Sequence, residues 1–374
     1  MRADLPEPSR EDRAHSGRLC ALIREEIHAA GGAIGFDRYM ELALYAPGLG
    51  YYSAGAAKFG AAGDFVTAPE LGFLFARCLA RAVAPVLRET GRDVLELGPG
   101  SGALAADLLP ELQRLGALPS RYRLLERSAD LRERQRATLL ARCPALIDRI
   151  EWIDRPPTES WRGALIANEV VDALPVRLFA LRAAGLGERT VGVDGETFAW
   201  RERAADAVLA QGVRDAIGDA PDLPRPYLSE IRPLLAPWFA EVAGRLERGD
   251  AWFIDYGYPR EEFYAPARGS GTLRCHYRHR AHDDPLILPG LQDITAWVDF
   301  DALASAATSS GFAQTELSTQ AQFLVRHGLE QVFADAHAAA PDEWARYRLA
   351  QEAKRLMLPG EMGEAFKVLS TVKV

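Results

Sequence analysis

Three alternating glycines are the first residues whose spacing could bind a ligand. Gly98, Gly100 and Gly102 directly follow the apolar run at 94–97, which is typical of a buried parallel strand, and a helix is predicted at 103–115. Strand, glycine turn and helix form the first unit of a doubly wound nucleotide-binding fold. In that unit the bare backbone lets a ligand approach, and the helix N-terminus presents free N–H groups to it.

Two acids near this turn favour S-adenosylmethionine over a dinucleotide as the ligand. The same glycines with Ala103 also satisfy the dinucleotide pattern, so they do not decide between the two. Glu96 can accept hydrogen bonds near the cationic amino-acid end of S-adenosylmethionine, whereas it would face a pyrophosphate poorly. Glu126 ends the next apolar run, at about the spacing expected for a carboxylate that binds ribose hydroxyls. The alternative for Glu126 is an ordinary surface residue at a strand end.

A second polar cluster follows the strand predicted at 164–167. Asn168, Glu169 and Asp172 lie there, and catalytic groups of open α/β sheets are found at the carboxyl ends of strands. Acids at positions i and i+3 face one pocket if the segment turns helically. Asp255 ends the predicted fifth strand and is the third candidate carboxylate. The alternative is strand capping by Asn168 beside two solvated acids.

A polar loop before the long apolar helix predicted at 71–87 is a third candidate for cofactor contact. Its candidate residues are Gly63, Asp64, Thr67, Pro69 and Glu70. Thr67, Pro69 and Glu70 also have the spacing of a helix N-cap, so capping is the structural alternative. The two roles are compatible.

An α/β scaffold would position these residues. Apolar runs predict seven strands, at 94–97, 122–125, 150–153, 164–167, 251–254, 312–317 and 366–372, the last one antiparallel. A helical N-terminal region over 1–90 is predicted to contribute to the cofactor pocket. A Rossmann-like core over 91–374 is predicted to carry insertions at about 176–247, 259–300 and 320–358. The first insertion is predicted to hold antiparallel strands at 176–181 and 190–200 and helices at 204–217 and 233–245.

Composition excludes several classes of protein. The 374 residues carry a net charge of −8, so no basic surface for nucleic acid is implied. No apolar run is long enough to span a membrane, and residues 1–18 lack the features of signal and transit peptides. The cysteines are dispersed and form no C-x-x-C pair: Cys20, Cys78, Cys143 and Cys275. Reduced thiols and a cytoplasmic location are therefore predicted.

One histidine-rich segment could suggest a metal site. It contains His276, His279 and His282 with Asp283 and Asp284. The arginines interspersed there favour ordinary polar contacts, so no metal is predicted.

Taken together, the motifs resemble the MidA-like, DUF185-type S-adenosylmethionine-dependent methyltransferases over nearly the whole chain. The matching motifs are Tyr45-x-Pro47-Gly48-x-Gly50-Tyr51-Tyr52, Gly63-Asp64-Phe65-x-Thr67-x-Pro69-Glu70, Glu96-Leu97-Gly98-Pro99-Gly100-x-Gly102, Asn168-Glu169-x-x-Asp172-x-Leu174-Pro175, Asp255-Tyr256-Gly257, Gln292-Asp293-Ile294-Thr295 and Phe366-Lys367-Val368-Leu369. The resemblance implies a class I methyltransferase fold, with the glycine-turn motif, Pro99 included, at the cofactor. Mitochondrial members are arginine methyltransferases that assist complex I assembly, which implies a protein substrate, with a complex I subunit as one candidate.

An arginine acceptor would need negative charge around it. Its guanidinium stays protonated in water, with a pKa above about 12, and must approach a cationic sulfonium. Two carboxylates can hold it in a bidentate clamp, and Glu169 and Asp172 are the first choice, Asp255 the third. Asn168 is expected to orient the substrate or the cofactor. Two other classes stay open: an assembly factor that binds S-adenosylmethionine without catalysis, and a nicotinamide-dependent oxidoreductase, for which no separate hydride-transfer group is found. Homodimerisation is also left open.

Overall fold

The computed structural model describes residues 5–54, 67–91, 93–218 and 222–374, except for the side chain at position 314. Helices in these ranges are α1 Arg10–Ala29, α2 Phe36–Tyr45, α3 Ala68–Leu71, α4 Leu74–Thr90, α5 Ala103–Arg114, α6 Ala129–Arg142, α7 Ala207–Ile217, α8 Leu235–Ala243, α9 Arg260–Phe263, α10 Phe300–Ser309, α11 Gln320–Arg326, α12 Leu329–Ala339, α13 Glu343–Met357 and α14 Met362–Ala365, with 3₁₀ turns at Pro144–Arg149 and Pro266–Arg268. Strands are β1 Ala33–Gly35, β2 Asp93–Leu97, β3 Arg121–Leu125, β4 Ile150–Ile153, β5 Trp161–Asn168, β6 Arg177–Arg182, β7 Gly185–Asp194, β8 Thr197–Ala204, β9 Tyr227–Ile231, β10 Leu246–Tyr258, β11 Arg274–Tyr277, β12 Arg280–His282, β13 Asp293–Thr295, β14 Val298–Asp299, β15 Gln314–Thr319 and β16 Phe366–Lys373.

All seven predicted strands form one central sheet. Its order is β15-β16-β10-β5-β2-β3-β4, and β14 adds to β10 outside this path. The five strands from β4 to β10 are parallel, whereas β16 runs antiparallel to both β10 and β15. The prediction of a seven-stranded α/β sheet with an antiparallel last strand is confirmed, and β10 is longer than predicted at both ends.

Helices cover both faces of this sheet. Val94 and Ile166 pack on the face covered by α4 and α5, whereas the neighbouring Leu95 and Leu165 pack on the face covered by α8 and α10. All five residues of β2 are buried. Strands buried on both faces read as continuous apolar runs, which is why the sequence located them.

A second sheet fills the first insertion. Its order is β1-β7-β6-β9, with β8 added to β7, and its neighbouring strands are antiparallel. The single strand predicted at 190–200 is wrong: Gly195, with a φ of 57°, begins a two-residue turn that separates β7 from β8. β1 and β9 were not predicted, because short strands depend on tertiary pairing more than on pattern.

The N-terminal region packs in two places. Strand β1 pairs with β7, so residues 33–35 join the sheet of the insertion. Helix α4 packs against α5 and the central sheet instead. The boundary at residue 90 therefore stays a prediction. In the second insertion β11, β12 and β13 form a small antiparallel sheet that was not predicted. Within the described ranges no helix combines the length and apolarity needed to cross a membrane.

Candidate active site

The glycine turn between β2 and α5 has an open, left-handed backbone. Gly98, Gly100 and Gly102 have φ values of 58°, 54° and 83°, a region that side chains other than glycine rarely adopt. Gly102 begins α5 without a side-chain cap, so the first N–H groups of the helix remain available. This is the geometry that an anionic or polar ligand group requires.

Glu96 lies beneath this turn in β2. Its side chain is buried and accepts a hydrogen bond from the Tyr122 hydroxyl at 2.7 Å. Burial raises the pKa of Glu96 to about 7, and the bond from Tyr122 opposes the rise. Glu96 is thus an acid that changes charge near neutral pH.

Glu126 follows β3 at the same edge of the sheet. It accepts hydrogen bonds from the Ser128 N–H at 2.8 Å and from Gln135 Nε2 at 3.2 Å. The same Gln135 nitrogen donates to the Gly100 carbonyl at 3.0 Å, so one side chain joins the acid to the glycine turn. Gln135 was not predicted, although a glutamine on the apolar stripe of α6, between Leu131 and Leu139, could have signalled a buried polar role.

Asn168 ends β5, and Glu169 follows it with a strained backbone. Glu169 has a φ of 54°, which is uncommon for a residue other than glycine, and its N–H donates to the Ile254 carbonyl at 2.8 Å. Asn168 Nδ2 donates to Glu169 Oε1 at 3.2 Å. The remaining oxygens, Asn168 Oδ1 and Glu169 Oε2, are buried without a partner among the described residues.

One carboxylate oxygen of Asp172 accepts a hydrogen bond from a tyrosine, and the other has no partner among the described residues. Tyr256 donates its hydroxyl to Asp172 Oδ2 at 2.5 Å, whereas Oδ1 is buried and no described group pairs with it. Burial raises the pKa of Asp172, against the hydrogen bond from Tyr256 and the charge of Arg232. Tyr256 was missed because its partner is distant in sequence.

Asp255 is enclosed by backbone N–H groups. Its Oδ2 accepts from Val171 at 3.0 Å and Asp172 at 3.1 Å, and its Oδ1 accepts from Tyr256 at 2.9 Å. The side chain is 1% exposed. Backbone N–H groups bond both oxygens, so Asp255 holds the 171–172 segment in place, and its part in the acceptor clamp stays a prediction.

Arg232 is a half-buried cation behind these acids. It donates to the main-chain carbonyls of Trp297 at 2.7 Å and Asp172 at 3.3 Å, and also to that of Ala296. Its charge opposes the rise in pKa of both Asp172 and Asp255. Arg232 could not be predicted from a local pattern, because its contacts join segments about 60 residues apart.

The acids destabilise one another. Burial raises the pKa of Glu169 well above its ordinary value, and the charges of Asp172 and Asp255 raise it further. A cationic ligand would relieve this repulsion. Three acceptors have no partner among the described residues and fit a ligand with several N–H donors: Asn168 Oδ1, Glu169 Oε2 and Asp172 Oδ1.

Helix α3 lies next to both the glycine turn and the acid cluster. Thr67 begins it without a side-chain hydrogen bond and Pro69 lies in its first turn, so the predicted threonine cap of the long helix is wrong. Glu70 instead accepts a hydrogen bond from the Ser101 hydroxyl in the glycine turn, and a backbone hydrogen bond from Ala68 lowers the pKa of Glu169. Gly63 and Asp64 lie outside the described residues.

Helix α4 is capped from a distant segment. Its first N–H, on Leu74, donates to Glu352 Oε1 of α13 at 2.6 Å. The cap therefore comes from the insertion at 320–358, which no local pattern could reveal.

The histidine-rich segment shows no metal cluster. Within the described ranges no group of three or more His, Cys, Asp or Glu side chains is arranged to hold a metal ion. Arg274 instead pairs with Asp283, as the interspersed arginines suggested.

Comparison with known proteins identifies the family of the chain and its cofactor. Residues 78–318 match the family described as "Putative S-adenosyl-L-methionine-dependent methyltransferase". A crystal structure of a Burkholderia thailandensis protein bound to S-adenosyl-homocysteine is 44% identical, with a TM-score of 0.93 over 99% of this chain and 95% of that one. A native structure from the same organism is 42% identical, with a TM-score of 0.90 over the same shares of the two chains. The prediction of S-adenosylmethionine is confirmed, and the oxidoreductase alternative is not supported.

Curated relatives cover most of the chain. A Drosophila melanogaster protein named "Protein arginine methyltransferase NDUFAF7 homolog, mitochondrial" is 29% identical over 98% of this chain and 87% of its own length. The Homo sapiens protein of that name, without "homolog", is 28% identical over 90% of this chain and 79% of its own. The cytoplasmic prediction is contradicted by these names. Unpaired cysteines indicate reduced thiols only, and more than one compartment maintains them.

Proposed function

The chain belongs to the family of S-adenosyl-L-methionine-dependent methyltransferases, and from that premise we propose that it methylates an arginine side chain of a protein. The names of the curated relatives support arginine as the acceptor. A subunit of respiratory complex I is the first protein substrate to test. The motifs of this chain resemble the MidA-like family, whose mitochondrial members assist the assembly of that complex.

One observation of the site carries the proposal. Asn168 Oδ1, Glu169 Oε2 and Asp172 Oδ1 are buried acceptors that no described residue satisfies. Unpaired buried acceptors cost free energy, so they are retained where a ligand completes them. A guanidinium offers five N–H donors in a planar fork and brings a positive charge to these acids, whereas the nearby guanidinium of Arg232 donates to main-chain carbonyls.

The cofactor residues would hold the methyl donor at the adjacent edge. S-adenosylmethionine supplies a methyl group on a positively charged sulfur. In this proposal the glycine turn, Pro99 included, would present its backbone to the cofactor, Glu126 would bind the ribose hydroxyls, and Glu96 would act near the amino-acid end. Thr67, Pro69 and Glu70 border the same turn through the contact of Glu70 with Ser101. Positioning of the two reactants supplies most of the catalysis.

The acids have separate tasks in this proposal. Glu169 and Asp172 clamp the guanidinium and aim one nitrogen at the methyl group, Asn168 orients it, and Asp255 holds the 171–172 segment. As the new nitrogen–carbon bond forms, the carbon–sulfur bond of the donor would break to leave S-adenosylhomocysteine, and the acceptor nitrogen would lose one proton. Burial raises the pKa of Glu169, which makes this carboxylate competent to accept that proton.

Mass spectrometry of methyl-arginine across the proteome tests the proposal. We expect a deletion strain to lose at least one methyl-arginine, which the wild-type gene restores and Glu169→Gln does not. Unchanged methyl-arginines in the deletion strain would contradict an arginine acceptor. Functional rescue by Glu169→Gln without the methyl mark would favour an assembly factor whose role does not need catalysis.

A further inference from the structure

Tyr45 reaches the acid cluster from the N-terminal region. It is the last residue of α2, and its hydroxyl donates to the main-chain carbonyl of Ala173, next to Asp172, at 2.9 Å. The residue is nevertheless 38% exposed. Its hydroxyl is therefore fixed beside the proposed clamp, although the residue as a whole is partly exposed.

A second tyrosine holds the ring in place. The Tyr45 and Tyr52 rings stack with centroids 5.5 Å apart and an interplanar angle of 24°. Tyr52 is fixed in turn because its hydroxyl donates to Asp293 Oδ1 at 2.9 Å and Tyr51 packs edge-on against it, with centroids 5.1 Å apart. Tyr45 thus has one supported face and little freedom to rotate.

Negative charge surrounds this ring. Burial raises the pKa of Tyr45, and the charges of Asp293, Asp172 and Glu126 act in the same direction, in that order. Asp172 belongs to the proposed acceptor clamp, and Glu126 is the acid predicted to bind the ribose. No described arginine or lysine stacks on Tyr45, although several other aromatic rings have such a partner.

We propose that the Tyr45 ring packs against the guanidinium of the substrate arginine. The carboxylates of Glu169 and Asp172 would bind its N–H edge while Tyr45 covers its planar face. This assignment rests on the proposed arginine acceptor and adds a residue that selects a planar cation. Guanidinium groups stack on aromatic faces, and a contact of this kind on tyrosine contributes about 2- to 30-fold in affinity.

The test measures binding of N-acetylarginine amide to the protein saturated with S-adenosylhomocysteine, by NMR titration. N-acetylcitrulline amide is the matched control, because its side chain has nearly the same shape and no charge. We expect the wild-type protein to prefer the arginine compound. Tyr45→Phe keeps the ring and should retain most of this preference, whereas Tyr45→Leu should lose about 2- to 30-fold.

A fluorinated series separates ring charge from ring shape. Phenylalanines with one to three ring fluorines, incorporated at position 45, draw electron density from the ring face at almost constant size. Affinity for N-acetylarginine amide should fall stepwise with fluorination, and affinity for the citrulline compound should not. A structural role of the ring would leave both affinities unchanged along the series.

Results that contradict the arginine acceptor differ from results that contradict only the Tyr45 contact. A wild-type protein that binds both compounds equally would overturn the arginine acceptor and this assignment with it. A normal preference in wild type that survives Tyr45→Leu would overturn the ring contact alone. Equal losses in Tyr45→Phe and Tyr45→Leu would assign the effect to the bond with Ala173. Weaker binding of S-adenosylmethionine, with unchanged binding of S-adenosylhomocysteine, would place the ring at the sulfonium instead.

Discussion

Two features of Glu169 cost folding free energy, and a residue with only a structural role would not need either of them. Its φ of 54° is strained for a side chain with a Cβ, and its Oε2 atom is buried without a described partner. Such a backbone costs on the order of 1–3 kcal/mol, and glycine or asparagine would adopt it more easily. A glutamate retained there indicates that its carboxylate is needed at this place.

The pH dependence of methyl transfer should report the raised pKa values of this cluster. Glu169 and Asp172 must be ionised to hold a cation, and burial raises the pKa of both. A raised pKa means protonation at higher pH, so kcat/KM should fall as pH is lowered, well above the ordinary carboxylate range of about 4. Asp172→Asn removes a charge that raises the pKa of Glu169, so the acidic limb of its residual activity should move to lower pH. Activity that stays level down to about pH 5 would argue against the ionised clamp.

The sequence located the acids but not their environment. Glu169 and Asp172 were found because they directly follow an apolar run. Gln135, Tyr256 and Arg232 were missed, since each acts through contacts between segments far apart in the chain. Asp255 was located by the same rule, but the backbone N–H groups that bond both of its oxygens could not be foreseen from the sequence.

At the scale of elements, Glu352 links the insertion at 320–358 to the pocket wall. It caps α4 through the Leu74 N–H, and a Cβ on Gly72 would lie 2.1 Å from its Oε2, so α13 and the start of α4 are closely packed. Burial raises the pKa of Glu352 to about 7. The helical insertion therefore supports α3 and, through it, the glycine turn.

Replacing Glu352 should change the pH dependence of stability in the apo protein. Folding raises the pKa of Glu352 from 4.5 to about 7, so the folded state favours the protonated side chain. The stability that protonated Glu352 contributes is therefore full below about pH 4.5 and is lost as pH rises through 7. Glu352→Gln keeps an acceptor for Leu74 and does not titrate. Its melting temperature should match wild type near pH 5 and exceed it near pH 8. Asp107 and Arg77 also face Glu352, and Glu96 should preserve part of the pH dependence.

The control for this comparison is Glu352→Ala. It removes the acceptor as well as the charge, so it should lower the melting temperature at both pH values. Melting curves of wild type and Glu352→Gln that differ by the same amount at pH 5 and pH 8 would show that Glu352 does not titrate in this range.

Strands that are buried on both faces were predicted correctly from the sequence. Strands that form only by pairing with a neighbouring strand were not. The seven strands of the central sheet are apolar runs or antiparallel partners of such runs. Strands such as β1 and β13, three residues each, carry no periodic signal and exist because of the strands beside them. The turn at Gly195 was overlooked inside a run that otherwise suits one strand.

At the scale of the whole molecule, the sheet brings distant segments to one edge. The carboxyl ends of β2, β3, β5 and β10 carry the glycine turn, Glu126, the 168–172 segment and Asp255. Two N-terminal elements, α2 and α3, contact the same edge. We therefore propose that residues 1–90 complete the cofactor pocket, and that a bound cofactor joins parts of the chain that are far apart in sequence.

Cofactor binding should for that reason stabilise the whole protein. S-adenosylhomocysteine at 100 times its Kd should raise the free energy of unfolding by about 2.7 kcal/mol, measured by thermal or denaturant unfolding. Gly100→Val should abolish the increase, because valine disfavours the φ of 54° and blocks the approach to the backbone. NADH serves as the control and should have no effect. An equal increase in Gly100→Val would place the ligand away from the turn.

If the buried acids bind the acceptor and not the cofactor, Glu169→Gln should separate the two functions. The substitution keeps the size of the side chain and removes its charge. We expect an unchanged Kd for S-adenosylhomocysteine by calorimetry. Methyl transfer to the native acceptor should be slowed roughly tenfold to over a hundredfold, since a charge-assisted hydrogen bond is worth about 1.5–3 kcal/mol. Full methyl transfer, or loss of cofactor binding in its place, would contradict this assignment of the acids.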